Sequence, residues 1–279
     1  PDNFQEQAEE FRTLLEDSTK IRMRSDVPLA SALSGGLDSS SVYCIINNLM
    51  RNNEVDRYSS NWQSAFNIGY PGSIFDESSY AKEVIEYTKG KGVFIVPNEN
   101  NLVDEIVSST LLFDNIYNIP IYGATKIYGE MAEKGYKISM DGHGVDEMMY
   151  GYSHYTKLAY QEAKKTNDLA KMKAYREIYS GLFPENTRQH EIESLNPTNK
   201  SSSLKSSLSV RIINKLKRDL FNVEQNKSWY NLNYVPVPLK TKIDNNWGPV
   251  EQNLFKSFHY TLLPTILRNF DRAGMQKSI

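Results

Sequence analysis

Short apolar segments alternate with helix-like segments through the first 152 residues of this 279-residue chain, and this alternation restricts the fold most strongly. Four segments have the composition of buried strands, at residues 27–33, 61–70, 92–97 and 136–140. Segments with apolar residues at helical spacing lie before and between them. Strands that alternate with helices are typical of a parallel sheet covered by helices on both faces. We therefore expect a doubly wound α/β core over residues 1–152.

Residues 153–279 form the second expected part, because strand signals fade there and helical spacing predominates. The predicted segments are helices over 154–183, 203–221 and 251–274, a polar loop over 196–203 and an irregular crossing over 231–250. Pro264 is expected to kink or interrupt the last helix, since proline lacks the amide hydrogen that a helix interior requires.

Charge and cysteine content exclude several classes of function. Lys and Arg number 32 against 34 Asp and Glu, so no global basic field favours nucleic acid or an anionic membrane as partner. The single cysteine, Cys44, permits neither an internal disulfide nor a cysteine-based zinc site. No apolar run approaches the roughly 18 residues of a membrane span, and no signal peptide opens the chain. We expect a cytoplasmic location.

The first motif follows the first predicted strand and begins a helix. It comprises Ser34, Gly35, Gly36, Asp38, Ser39 and Ser40. Glycines allow a tight turn, and the free amides of a helix's first turn form a site for anions such as phosphate. A carboxylate beside a phosphate suits a bridging hard cation, and Mg²⁺ takes one or two carboxylates plus phosphate oxygens. In the alternative interpretation, Asp38 and the serines only cap the helix.

The second motif follows the fourth predicted strand, over residues 139–152. Gly142 and Gly144 predict a tight loop, and Asp141, Asp146 and Glu147 supply carboxylates. Parallel strands bring their C-terminal loops to one edge of the sheet, so Asp38 and Asp146 could share a metal ion. The alternative is an acidic turn followed by a capped helix.

Both motifs resemble those of a known family. "LSGGLDSS" at 33–40 resembles the pyrophosphate-binding loop of the N-type ATP pyrophosphatases, and "DGHGVDEMMYGY" at 141–152 resembles a loop of class B, glutamine-hydrolysing asparagine synthetases. "FDESSYAKEV" and "LLPTILRNFDRAGMQKSI" also resemble that family's C-terminal synthetase domain. The resemblance covers nearly the whole chain. It suggests a fragment that lacks the N-terminal glutaminase domain and the family's C-terminal end.

The resemblance implies a nucleotide site and a reaction. Leu33 and Ile68 would hold adenosine through strand-end backbone, with Asp141 and Gly142 beside the AMP moiety. The first motif would surround the pyrophosphate, and Asp38 and Asp146 would bind Mg²⁺. A small carboxylate substrate, the aspartate side chain in the leading interpretation, would attack ATP to give an acyl-adenylate. Ammonia from a glutaminase domain outside this chain would then form the amide. A homodimer is compatible with these observations.

His143 is the main departure from the family pattern, and it keeps other functions open. Asparagine synthetases usually have a glutamate there, implicated in forming the aspartyl adenylate, and β-lactam synthetases have a tyrosine. Histidine is suited to general-base catalysis near neutral pH, so His143 joins Asp38 and Asp146 as a catalytic candidate. Asp141 likewise replaces the usual serine. The alternatives are a sister activity, such as ring closure or amidation of another acid, and a non-catalytic nucleotide-binding protein. A tRNA thiolase is disfavoured by the single cysteine and the absence of basic charge.

Overall fold

The computed structural model describes residues 3–52, 54–55, 63–73, 76–113, 122–183, 185–195, 243 and 246–279. The chain divides into two compact units, one of Pro1–Met149 with Lys256–Ile279 and the other of Tyr150–Phe255. The sequence-based division, at residue 152, places the closing helix in the second part. The structure instead groups this helix with the first unit.

The first unit contains a four-stranded parallel sheet, as the sequence predicted. Its strands are β1 Leu29–Ala32, β2 Gln63–Ile68, β3 Gly92–Ile95 and β4 Ile138–Ser139. Their order is β3-β2-β1-β4, and every pair is parallel. Leu29 aligns with Gln63 on one side and with Ile138 on the other. β1 therefore lies inside the sheet, with β4 on the side opposite to β2.

Helices precede, connect and follow these strands. In chain order they are α1 Phe4–Arg22, α2 Leu37–Arg51, α3 Ser78–Thr88, α4 Leu102–Phe113, α5 Tyr122–Glu133, α6 Val145–Met148, α7 Ser153–Lys165, α8 Leu169–Gly181, α9 Glu185–Leu195, α10 Pro249–His259 and α11 Leu262–Lys277. A 3₁₀ turn at Glu99–Asn101 leads into α4. None of the described helices is both long enough and apolar enough to cross a bilayer.

Successive residues of a strand point to opposite faces of the sheet, so neighbouring strand residues belong to different apolar clusters. Ala30 and Phe66 pack with side chains of α5 and α11, among them Met131 and Ala273. Leu29 packs instead with Met23 and α2 residues such as Ile46, and Ala65 packs with Leu33, Tyr43, Ala81 and Ile85. Burial on both faces confirms the doubly covered α/β architecture.

The second unit is helical in its described part. α7, α8 and α9 enclose a cluster that includes Tyr160, Tyr179 and Leu195. The predicted helix over 154–183 is therefore correct in type, but it is two helices. α7 ends at Lys165 with Thr166 as its C-cap, and Asp168 is the N-cap of α8. The Lys171 amide donates to Asp168 Oδ1 at 3.0 Å. The predicted loop at 196–203, the helix at 203–221 and most of the crossing at 231–250 lie outside the described residues.

The interruption expected at Pro264 is confirmed. α10 ends at His259 and α11 begins at Leu262, which places Pro264 in the first turn of α11. The first-turn amides of a helix have no partner within it, so a residue without an amide hydrogen costs little there.

Candidate nucleotide site

The two motifs meet where the strand order reverses. β2 and β3 extend the sheet on one side of β1, and β4 lies on the other side. In open α/β sheets such a switch point leaves a crevice outside the carboxyl ends of the strands, where ligands bind. The first motif follows β1 and the second follows β4, so both belong to the rim of this crevice.

A direct hydrogen bond joins the two motifs. The backbone amide of Asp146 donates to Asp38 Oδ2 at 3.1 Å, although the residues are 108 positions apart. Gly142 makes the close approach possible, because a Cβ there would lie 2.6 Å from both the Asp38 carbonyl carbon and the Ser39 amide nitrogen. The structure therefore brings Asp38 and Asp146 together, as the sequence predicted.

Negative charge is concentrated at this junction. Burial is the main cause of a raised pKa for Asp38; the Glu147 charge also raises this pKa, whereas the Asp146 amide and His143 oppose the shift. The pKa of Asp146 is also raised, first by burial and then by the charges of Asp38 and Glu147. Glu147 is itself buried. A cation would relieve this repulsion.

Asp38 and Asp146 fit a magnesium ion that is bound together with phosphate. Carboxylate and phosphate oxygens are the ligands that Mg²⁺ prefers, and one or two protein carboxylates suffice when phosphates complete the shell. Within the described residues, no three His, Cys, Asp or Glu side chains form a group that could hold a metal. The arrangement therefore suits a magnesium–nucleotide complex and not a cage made of protein side chains alone.

The loop after β1 is tightly packed and leaves the start of α2 without a side-chain cap. Gly35 has φ +96°, and a Cβ there would lie 2.6 Å from the Tyr80 Cβ and the Ala81 amide nitrogen. Gly36 is the N-cap of α2, so the interpretation of Asp38 as the N-cap is wrong. Ser34 Oγ accepts from the Gly36 amide at 3.1 Å and lies 3.0 Å from Ser39 Oγ. The helix amides therefore remain open to an anion.

A cavity of about 280 Å³ lies beside these loops. Its lining residues are Ala32, Leu33, Ser34, Ser39, Asn67, Ile68, Tyr70, Glu77, Gly123, Ala124, Ile127, Gly142, His143 and Phe270. Six predicted site residues are among them: Leu33, Ser34, Ser39, Ile68, Gly142 and His143. The other six, Gly35, Gly36, Asp38, Ser40, Asp141 and Asp146, do not line it. A larger cavity of about 520 Å³ in the second unit contains none of the predicted residues.

Comparison with known proteins places this architecture in a family. The sequence profile of the asparagine synthase family matches residues 10–279. The chain belongs to the asparagine synthase family. The resemblance found in the sequence motifs is thereby confirmed, and the parallel α/β sheet agrees with it.

Named relatives match the chain over different lengths. The putative asparagine synthetase (glutamine-hydrolyzing) 2 of Methanocaldococcus jannaschii is 27% identical over 280 residues, covering 96% of this chain and 49% of that protein. Asparagine synthetase B of Escherichia coli is 33% identical over 162 residues, covering 53% of this chain and 28% of that protein. Amidase chyE of Penicillium rubens is 30% identical over 154 residues, covering 50% and 22%. The chain thus spans about half, or less, of the length of these curated relatives.

Asp141 lies in the second motif, but its carboxylate makes hydrogen bonds that stabilise the fold around that loop. Oδ1 accepts from the Ala32 amide at 2.8 Å and from Ser139 Oγ at 2.6 Å, and Oδ2 accepts from the Tyr128 hydroxyl at 2.6 Å. Burial, followed by the Asp141 charge, raises the pKa of Tyr128. The Asp141 side chain therefore ties together the ends of β1 and β4 and helix α5. Tyr128 lies outside both predicted motifs, so no sequence pattern marked it as a partner of Asp141.

His143 is exposed on the cavity wall and packs against α11. Its ring centroid lies 4.3 Å from that of Phe270. Phe270 was not predicted as a site residue, nor was Asn67, whose buried Nδ2 donates to the Leu33 carbonyl at 2.8 Å. This bond fixes the strand-end carbonyl that precedes the glycine loop. A polar residue in the buried strand "SAFNI" was the available signal, because buried amides need hydrogen-bond partners.

Proposed function

We propose that this chain is the ATP-dependent synthetase part of an amide-forming enzyme, with the aspartate side chain as the favoured acceptor. One observation carries the proposal: the Asp146 amide is bonded to Asp38 at 3.1 Å where the glycine loops after β1 and β4 meet beside a cavity. Family membership supports ATP-dependent amide synthesis. The names of the Methanocaldococcus jannaschii and Escherichia coli relatives support asparagine as the product.

In the proposed reaction, the strand ends bind adenosine, and the loop before α2 binds the phosphates. Backbone at Leu33 and Ile68 holds adenosine, and Ser34 and Ser39 donate to phosphate oxygens. The acceptor carboxylate attacks the α-phosphorus of ATP and pyrophosphate leaves, which gives an acyl-adenylate. Negative charge that develops on pyrophosphate is stabilised by the uncapped amides of α2.

Asp38 and Asp146 are the residues that would hold Mg²⁺ in this proposal. Bound Mg²⁺ would neutralise charge on the leaving pyrophosphate. Ammonia, from a glutaminase domain such as those implied by the relatives' names, then attacks the acyl carbon and displaces AMP. The product is an amide.

His143 favours a second candidate, the same adenylation with another acceptor. Its imidazole stands on the cavity wall against Phe270, where it would face the acyl group. Imidazole accepts a proton near neutral pH but lacks the permanent negative charge of glutamate. One relative is named an amidase rather than an asparagine synthetase. A sister reaction, either ring closure or amidation of another acid, would use the same nucleotide site.

The test is ATP–pyrophosphate exchange with radiolabelled pyrophosphate, first with aspartate and then with a panel of other carboxylates. We expect exchange that requires Mg²⁺ and aspartate. Exchange with a different acid alone would select the sister reaction, and we would then expect His143→Glu to shift the preference towards aspartate. Binding of Mg–ATP without exchange for any acid would reject catalysis and indicate a nucleotide-binding protein.

A further inference from the structure

A carboxylate stands in the wall of the cavity proposed for ATP. Among the described residues that line it, Glu77 alone carries a carboxyl side chain. The residue is exposed and immediately precedes α3. In the described part of the chain, no side chain forms an ion pair with the Glu77 carboxylate, and no group donates a hydrogen bond to it. The Glu77 carboxylate is therefore a hydrogen-bond acceptor in the cavity wall without a partner among the described residues.

The position of Glu77 is fixed by the loop that carries it. Its backbone carbonyl accepts from the Tyr80 and Ala81 amides at 3.0 and 3.3 Å. These two residues pack against Gly35, where a Cβ would lie 2.6 Å from atoms of both. Glu77 is thereby attached to the same turn that abuts the proposed phosphate loop.

The neighbouring acid, Asp76, has a different role. Its Oδ1 accepts from the Ser78 hydroxyl and from the amides of Ser78 and Tyr70, and the Ser78 hydrogen bonds lower the Asp76 pKa. Asp76 therefore closes the loop, whereas Glu77 makes no such bond. Of these two adjacent acidic residues, Asp76 stabilises the loop and Glu77 lines the cavity.

An ionised carboxylate accepts hydrogen bonds and cannot donate them. Beside the phosphates it would repel the ligand, so it complements only the donor groups of ATP, which are the adenine amino group and the ribose hydroxyls. The apolar lining at Ile68, Ala124, Ile127 and Phe270 suits the adenine ring. The ribose hydroxyls are then the donors that remain for Glu77. Dinucleotide-binding folds show the same pairing of an acidic side chain with a ribose hydroxyl.

We propose that Glu77 is a specificity-determining residue that accepts a hydrogen bond from the ribose hydroxyls of ATP. This inference rests on the proposed function, since it takes the cavity to be the ATP site. It predicts that the protein distinguishes ATP from nucleotides without ribose hydroxyls, and that Glu77 is responsible.

Calorimetric titration tests this with Mg–ATP and Mg–2′,3′-dideoxyATP against the wild type, Glu77→Ala, Glu77→Gln and Glu86→Gln. Glu86 is a matched control, since it is exposed on α3 and does not line the cavity. We expect the wild type and Glu86→Gln to bind ATP about tenfold or more tightly than the dideoxy nucleotide, as suits a hydrogen bond to a charged group. The ratio should approach one in Glu77→Ala and be intermediate in Glu77→Gln.

Two results would overturn the inference while leaving the ATP site intact. One is an unchanged ratio in Glu77→Ala. The other is tighter binding of both nucleotides by that variant, as expected if the carboxylate faces the phosphates. Failure of the wild type to bind either nucleotide would instead reject the proposed function and this inference with it.

Discussion

The backbone amide of Asp146 donates a hydrogen bond to the Asp38 carboxylate at 3.1 Å and so closes the junction between the loops after β1 and β4. Each of these residues carries a carboxyl group whose pKa is raised, chiefly by burial. The junction thus holds partly buried carboxyl groups, and the interaction with His143 does not cancel the raised pKa of Asp38. Such charge is costly for the fold and would favour the proposed binding of Mg–ATP.

Asp38→Asn should strongly decrease Mg²⁺-dependent turnover of ATP. Asparagine keeps an oxygen that accepts from the Asp146 amide, so the loop junction is preserved while a metal ligand of full charge is lost. We expect a decrease of about a hundredfold or more in ATP–pyrophosphate exchange, measured across a Mg²⁺ titration. Asp17→Asn, on the exposed face of α1, is the charge-matched control and should leave exchange unchanged. Wild-type exchange in Asp38→Asn would reject the metal assignment.

Asp146→Asn should stabilise the protein at neutral pH in the absence of Mg²⁺. A carboxyl group whose folded pKa lies above its unfolded value binds its proton more tightly in the folded state, so it favours folding at low pH and opposes folding as pH rises through the folded pKa. The penalty removed by the substitution is therefore largest above that pKa, and it vanishes below the ordinary value of 3.8.

Thermal unfolding at pH 7 and at pH 4 measures this effect. We expect Asp146→Asn to melt at a higher temperature than the wild type at pH 7, with a smaller difference at pH 4. Glu147 and His143 also interact with the charge at Asp38, so both remain wild-type in this comparison. An equal shift at both pH values would contradict an electrostatic origin.

Tyr128→Phe should destabilise the first unit. The phenol is buried and donates to Asp141 Oδ2 at 2.6 Å, and hydrogen bonds to charged groups contribute about 1.5–3 kcal/mol. We expect the free energy of unfolding in urea to fall by about that amount. Tyr87→Phe, at a side chain 82% exposed on α3, serves as control and should change it by about 0.5 kcal/mol or less. Similar values for both variants would show that the Asp141 network is not stabilising.

Gly142→Ala should separate the two loops. The added methyl group would lie 2.6 Å from the Asp38 carbonyl carbon and the Ser39 amide nitrogen, and overpacking of this kind costs about 1–3 kcal/mol. We expect both lower stability and weaker Mg–ATP binding, measured by urea unfolding and calorimetry. Gly129→Ala on α5 is the control, because its methyl group would meet Lys277 at an ordinary 3.6 Å. Normal ATP binding by Gly142→Ala would show that the junction tolerates displacement.

Much of the fold and the centre of the site could be predicted from the sequence, because their signals are local. The apolar residues Leu29 and Ala30 in succession indicate a strand buried on both sides, and Pro264 indicates an interruption of the last helix. Ser34, Gly35 and Gly36 directly after a strand predict a turn that opens a candidate anion site. Parallel strands then require that the loops containing Asp38 and Asp146 share an edge, and the structure places them in contact.

The tertiary structure alone decided which side chains reach the cavity and which hold the scaffold. Asp141 belongs to the motif, yet its carboxylate is bonded to Ala32, Ser139 and Tyr128. Glu77 and Phe270 lie in segments that resemble the family but were not predicted as site residues, yet both line the cavity. The spacing of apolar residues in a helix and the residue types that favour a turn can both be recognised within a few residues of sequence. The direction of a side chain depends on partners that only packing brings near, and Phe270 reaches His143 because α11 returns to the sheet.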